Sequence, residues 1–251
     1  MFYLGRDKVA EAETRLPGSP EVPEWSERFA TLAQQASNPH LKRFYEAGAV
    51  AGETPIADVP MLSIDFETTG LDPQKDDIVS IGLVTMSLDR IRLREGRHWV
   101  VKPRADLRNE SVVIHGITHS EVEDAPDLTR ILEELLDLMA GHLMVVHHRG
   151  IERPFLDAAL RQRIGEGIEF PVIDTMELEA RLHRRRPPGL IDRLMGRSSE
   201  SIRLADSRGR YNLPYYRPHN ALTDALACAE LLQAQVAHRF SRDTPVCELW
   251  H

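Results

Sequence analysis

The chain of 251 residues carries 31 basic against 39 acidic side chains, a formal charge of −8, which argues against a protein that coats nucleic acid non-specifically and confines any such contact to a local patch. No apolar run approaches the ~20 residues needed to cross a bilayer, and charges in MFYLGRDKVAEAE stand where a signal peptide needs its apolar region, so a cytoplasmic protein with no membrane partner is expected. Cys228 and Cys247 form neither a CxxC nor a spaced framework, so neither a disulfide scaffold nor a thiolate metal site is suggested and reduced thiols are expected.

Residues 1–58 read as a helical N-terminal extension. PEVPEWSERFATLAQQA and NPHLKRFYEAG predict two short helices, with Pro17, Pro20 and Pro39 as entry signals and Trp25, Phe29 and Leu32 near helical spacing. That apolar stripe can pack on the main domain or bind a partner, and packing is the commoner use. From Pro60 the pattern changes: MLSIDFE, DIVSIGLVTMSL and RHWVVKP predict a three-stranded antiparallel meander, with turn residues between them. Asp72, Asp76 and Asp77 read as a solvated turn.

Leu128–Met139 predicts a helix, His142–Val146 a buried strand and Glu152–Arg163 another helix. Pro171–Ile173 predicts a short strand, and Asp174 three residues before Glu177 resembles a capping box opening TMELEARLHRR. An Arg-rich segment follows, with ten arginines from Arg181 to Arg217 against Asp192, Glu200 and Asp206. Ala221–Ala237 is the last long helix, and 241–251 reads as a C-terminal tail. The expected fold class is α/β, a mixed sheet flanked by helices over residues 59–240.

The residues that demand explanation are Asp65 and Glu67 in SIDFETTG, because alternation sends positions i and i+2 of a strand to one face. Two carboxylates on an apolar strand are costly unless cations or donors meet them. The competing reading is a strand end emerging into solvent. A second constellation lies in RPHNALTDALACAELL, where His219 precedes a helix and Asp224 sits in its first turns. Carboxylate oxygens suit hard divalent ions, and a nearby histidine can take a proton from water.

These segments resemble the DnaQ-like, or DEDDh, 3′–5′ exonucleases, the family that includes the proofreading subunit of bacterial replicative polymerases. The first family motif, D-x-E-T-T-G-L, is matched by Asp65, Glu67, Thr68, Thr69, Gly70 and Leu71, and the third, H-x-A-x-x-D, by His219, Ala221 and Asp224. HGIT at His115–Thr118 also has a family counterpart, and the likeness covers roughly residues 60 to 238. The second motif departs from the family form H-N-x-x-F-D-x-x-F-L: HHRGIERPFL places His148 at the Asn, Ile151 at the first Phe and Glu152 at the metal-binding Asp. Asp157, five residues on, lies roughly 140° around the helix and is a poor substitute.

The resemblance implies a ribonuclease-H-like fold and two divalent cations, Mg²⁺ or Mn²⁺, held by Asp65, Glu67, Glu152 and Asp224, with His219 as general base and nucleoside 5′-monophosphates as product. It also implies a substrate site at Thr68, Thr69, Leu71 and His148, for single-stranded DNA 3′ ends, and a polymerase or replication partner. Arg184, Arg185 and Arg186, with Arg193, Arg197, Arg203, Arg208 and Arg210, are candidates for capturing the strand at the rim. A solvated insertion is the other reading of that segment. Two further functions stay open: an RNA exonuclease with the same constellation, and a non-catalytic nucleic-acid-binding module in which Glu152 has weakened the metal site.

Overall fold

The computed structural model describes residues 24–107, 112, 116–184 and 201–251; the side chains of residues 182–184 are not described. Pro17, Pro20, His115, Arg185, Arg186, Arg193 and Arg197 therefore lie outside the described residues, as does the side chain of Arg184.

Five strands form one sheet: β1 (Met61–Thr68), β2 (Ile78–Met86), β3 (Arg97–Val100), β4 (Leu143–Val146) and β5 (Val172–Asp174). Their order is β3-β2-β1-β4-β5. The first three are the antiparallel meander expected from the sequence, and β4 and β5 add in parallel on the other side of β1. This puts the acidic strand at the centre. β1 and β2 are buried along nearly their whole length, as expected for strands covered on both faces.

The helices are α1 (Trp25–Gln35), α2 (Pro39–Glu46), α3 (His119–Glu123), α4 (Leu132–Met139), α5 (Arg149–Ile164), α6 (Thr175–Arg184), α7 (Leu204–Arg210) and α8 (Ala221–Arg239). The helix expected over 128–139 divides into a 3₁₀ turn, Leu128–Arg130, and α4. Local chemistry sets the other starts. Asn38 accepts from the His40 and Leu41 N–H groups ahead of Pro39, and Asn220 accepts from Thr223 at the start of α8.

The N-terminal helices pack onto the sheet domain. Trp25, Phe29, Phe44 and Tyr45 are buried in edge-on and tilted contacts, with ring centroids 5.1 to 6.2 Å apart. Glu166 accepts from the Ser37 and Asn38 N–H groups, and Glu169 pairs with Arg28. The final residues are also built in: Val246, Leu249 and Trp250 are buried, and His251 exchanges backbone hydrogen bonds with Val172 of β5. An apolar tail end thus covers an edge strand that would otherwise present unpaired groups.

One expectation is overturned at the β1–β2 turn. Asp76 and Asp77 are buried rather than solvated, 5% and 3% exposed. The interior supplies donors: Asp77 accepts from the Arg163 guanidinium at 2.7 Å and from the Arg104 N–H at 2.7 Å, while Asp76 accepts from the Thr69 hydroxyl and the Asp72 N–H. A buried carboxylate is tolerated when it is paired in this way. Gly70 makes room for it, since a Cβ there would lie 2.3 Å from an Asp76 oxygen. Asp72 keeps an exposed ion pair, with Lys75.

Candidate active site

Ser63, Asp65 and Glu67 occupy alternate positions of β1 and so share one face. Helix α8 crosses that face. The Ser63 hydroxyl donates to the Ala225 carbonyl of α8 at 2.8 Å, and Gly82, the ladder partner of Asp65, lets the helix start approach. A Cβ on Gly82 would stand 2.1 Å from backbone atoms of Ala221 and Leu222. This close approach seats Asp224, in the first turn of α8, over the strand carboxylates.

His219 reaches the same place from the loop. Its N–H donates to an Asp224 carboxylate oxygen at 2.6 Å, and its φ is +69°. One candidate ligand atom from each of Glu67, His219 and Asp224 lies within 4.8 Å of the other two. The histidine backbone is held in a sparsely populated region, which surrounding contacts must maintain.

Glu152 comes from the first turn of α5 and is 2% exposed. One of its oxygens, Oε2, is buried with no hydrogen-bond partner among the described residues. Asp157 cannot take its place: its carboxylate accepts from the Ile168 N–H and from Arg161. The turn that launches α5 is fixed by buried Asp174, which accepts from the N–H groups of His148 and Arg149 and also from those of Met176 and Glu177 at the start of α6. The expected cap of one helix is therefore the cap of two. His148, at φ +109°, is exposed beside Gly150, where a Cβ would come 3.0 Å from the imidazole.

Electrostatics ties these groups together. Asp65 keeps some accessible surface, yet the protein crowds its carboxyl, and this desolvation pushes its pKa well above the ordinary range; the charges of Glu152, Asp224 and Glu67 raise it further. Burial, with Asp224 adding, pushes Glu67 up to about 8. Glu152 is pushed up to about 8 by burial, against a backbone hydrogen bond that lowers it. Burial also raises Asp224, opposed by the His219 N–H. Four carboxylates that resist common ionisation, one with an orphaned buried oxygen, form a donor set suited to divalent cations.

The remaining expected site residues divide. Leu71 is 82% exposed at the end of the first motif. The Thr68 hydroxyl donates to the Gly70 carbonyl, and Thr69 is committed three times within the hairpin: its N–H donates to the Asp77 carbonyl, and its hydroxyl donates to Asp76 and accepts from the Asp77 N–H. Their side chains shape the turn beside the site. Two of the rim arginines are corrected. Arg208 is buried and donates to the Ala227 and Pro214 carbonyls and to Glu230, and Arg210 pairs with Glu179 at 2.8 Å. Acceptors within the protein claim these guanidinium groups. Arg203 remains exposed just before α7.

Sequence reasoning missed Gly82, the α5 side of the Asp174 double cap, and the structural role of Arg208. Gly82 left a signal, a glycine inside an apolar strand, which marks close backbone approach.

The exonuclease family model RNase_T matches residues 62–232. Among curated relatives, the PolC-type DNA polymerase III of Thermotoga maritima is 27% identical over 232 residues, 83% of this chain and 16% of that protein. The DNA polymerase III subunit epsilon of Rickettsia prowazekii is 30% identical over 186 residues, 71% of this chain and 74% of that one. The chain thus spans a small part of the PolC-type relative and about three quarters of the epsilon subunit. Among solved structures, the nuclease domain of 3′hExo, a DEDDh family member bound to rAMP, superposes with a TM-score of 0.58 at 17% identity, covering 76% of this chain and 94% of that one. Exonuclease X in complex with 5′ overhanging duplex DNA superposes with a TM-score of 0.55 at 20% identity, covering 75% and 99%. The fold is the ribonuclease-H-like one of these nucleases. No helix among the described residues is long and apolar enough to cross a membrane.

Proposed function

Because the chain belongs to the RNase_T exonuclease family, we propose that it is a 3′–5′ exonuclease that hydrolyses single-stranded DNA ends one nucleotide at a time and releases nucleoside 5′-monophosphates. The observation that carries this reading is the convergence of Asp65, Glu67, Glu152 and Asp224 on one acidic centre beside His219. A DNA strand is favoured over RNA by the two curated relatives, both named as DNA polymerase III components. The same names favour a polymerase partner.

Asp65, Glu67, Glu152 and Asp224 would hold two divalent cations, Mg²⁺ or Mn²⁺. Such ions supply charge stabilisation at the scissile phosphate and acidify the attacking water. The chain supplies the rest. His219, carried at the rim of the acidic centre, accepts the proton of the attacking water, a role that contributes about 10²–10⁴-fold to rate. The Asp224 carboxylate holds the His219 backbone and so fixes where the imidazole can reach. Leu71, exposed at the hairpin end, offers an apolar surface to the terminal base, a sequence-tolerant contact suited to removing any nucleotide. His148 stands at the start of α5, on the Glu152 side, to meet the strand.

The test is product analysis with 5′-labelled single-stranded DNA, duplex DNA and RNA of one sequence in Mg²⁺ and in Mn²⁺. A ladder shortening from the 3′ end, strongest on single-stranded DNA and abolished by chelation, is expected. Preference for RNA moves the activity to the RNA class. Strand binding without any shortening leaves a non-catalytic module.

A further inference from the structure

Tyr215 is a large aromatic residue 79% exposed, four residues before His219. Its isolated exposure is unremarkable on a protein surface; its mounting is not. The residue before it, Pro214, is held by its carbonyl to the Arg208 guanidinium at 2.9 Å. The residue after it, Tyr216, lies under the same guanidinium at 4.6 Å from the ring centroid and donates its hydroxyl to Glu230 at 3.0 Å. Glu230 in turn accepts from Arg208 at 2.7 Å, so Arg208, Tyr216 and Glu230 close a cycle beneath Tyr215. The Leu213 N–H adds a bond to the Arg208 carbonyl. An apolar ring is thus displayed to solvent from a clamped backbone, with the ordering entropy of the support already spent.

The same segment borders a cavity of about 110 Å³ whose walls include Leu204, Leu213, Tyr215, Pro218 and Asp224. Asp224 is therefore shared between this apolar hollow and the acidic centre. A strand with its end at the acidic centre would lie beside this hollow, where a flat π face and apolar walls are offered together with the exposed Arg217. With a net charge of −8, attraction for phosphate is weak over most of the surface, and contact through the bases becomes the more useful grip.

We propose that Tyr215 is a base-stacking platform that grips a nucleobase of the substrate strand next to the reacting end, with the 213–218 segment pre-organised for this by Arg208. The inference rests on the nucleic-acid reading of the site. It assigns Tyr215 to binding and leaves the hydrolytic groups as described.

The experiment measures affinity for a single-stranded DNA oligonucleotide by fluorescence anisotropy, with full-length protein in the Asp65→Asn background so that the strand survives. Tyr215, Tyr215→Phe and Tyr215→Ala are compared on a strand with all bases and on one with abasic residues over its last several 3′ positions. Tyr215→Ala is expected to weaken binding to the intact strand about tenfold, within the range of one stacked base, and Tyr215→Phe to stay within about twofold. On the abasic strand the three proteins should converge. Equal affinity of Tyr215→Ala and parent on the intact strand, or an equal loss on both strands, overturns the proposal. Thermal melts of each variant identify any general loss of fold, and in that event Tyr215→Leu, which keeps apolar bulk but removes the π face, replaces Tyr215→Ala in the same comparison on the two strands, with the same loss expected and the same equality overturning the proposal. Nucleotide release by the protein without Asp65→Asn is scored separately: a chain that binds bases through Tyr215 yet releases nothing refutes the hydrolase and leaves the platform standing.

Discussion

Gly82 faces Asp65 across the β1–β2 ladder, and a side chain there would collide with the start of the helix that carries Asp224. The obstructing atoms are backbone atoms of Ala221 and Leu222 at 2.1 Å, so no side-chain rotation relieves the contact. Gly82→Ala is therefore expected to lift α8 from the sheet, lowering stability by about 1–3 kcal/mol and cutting nucleotide release by at least about tenfold, since small misplacements of reacting groups are expensive. Thermal melts and release assays on one preparation check both. A fully active, equally stable variant would mean that the helix does not need this approach.

Glu152 gives a prediction in which stability and activity move in opposite directions. Its buried Oε2 has no hydrogen-bond partner among the described residues, and burial pushes its pKa up to about 8. Glu152→Gln should leave the metal-free protein at least as stable as the parent at pH 9, because a strained charge is gone, while most nucleotide release is lost. Glu152→Asp should keep a substantial part of the release. Gln retaining parental turnover would remove Glu152 from the metal site.

The pH dependence of the metal-free protein follows from the same groups. Glu67 and Glu152, both at about 8 in the folded chain against 4.5 ordinarily, bind more protons when folded than when unfolded. Their stabilising contribution is full below about 4.5 and is lost as pH rises through about 8. His147 and His251 are lowered to about 4 by burial, and their opposite contribution is confined below about 6.5. Between pH 7 and 9 the carboxylates dominate. The melting temperature in chelator should fall across that interval by several degrees, on the order expected for one to two kcal/mol in a chain of this size. Saturating Mg²⁺ or Mn²⁺ should reverse the slope, because the ligands must deprotonate to bind. A flat chelator profile that is identical in Glu67→Gln would refute the assignment.

Arg208 separates two roles for the arginines before His219. Buried with three carbonyl or carboxylate partners, it should behave as structure: Arg208→Lys, which keeps the charge but loses the fork geometry, should destabilise the chain by about 3 kcal/mol. The slope of log strand affinity against log salt should be unchanged, since no phosphate contact is removed. A slope reduced by about 0.7, the value for one phosphate on a single strand, would return Arg208 to the strand surface.

The legibility of the site followed the range of the interactions involved. Asp65 and Glu67 could be read because a period of two places them on one face whatever the rest of the chain does, and Asp224 because the helical run from Ala221 put it in the first turns after His219. Glu152 was legible as a position in a motif, while its burial depended on β1 and β2 arriving from elsewhere. Asp77 and Arg208 were misread because a charged residue in a polar stretch looks solvated until its partner is known, and those partners, Arg163 and Glu230, lie 86 and 22 residues away. The double cap by Asp174 was half visible: the α6 side is local, whereas the α5 side joins residues 26 apart. Residues 241–251 were read only as a tail because Val246, Leu249 and Trp250 have no periodicity long enough to declare a buried element.

The most direct test of the account is release of the 3′-terminal nucleotide from a 3′-end-labelled single-stranded DNA in Mn²⁺, by the parent and by Asp65→Asn at equal concentration. Asp65 lies at the centre of the acidic group, with the charges of Glu152, Asp224 and Glu67 all bearing on it. The parent is expected to liberate labelled nucleoside 5′-monophosphate from the outset, and folded Asp65→Asn to liberate none above background. Undiminished release by Asp65→Asn, or a parent that frees label only after consuming the strand from its 5′ end, would contradict a 3′–5′ exonuclease centred on these carboxylates.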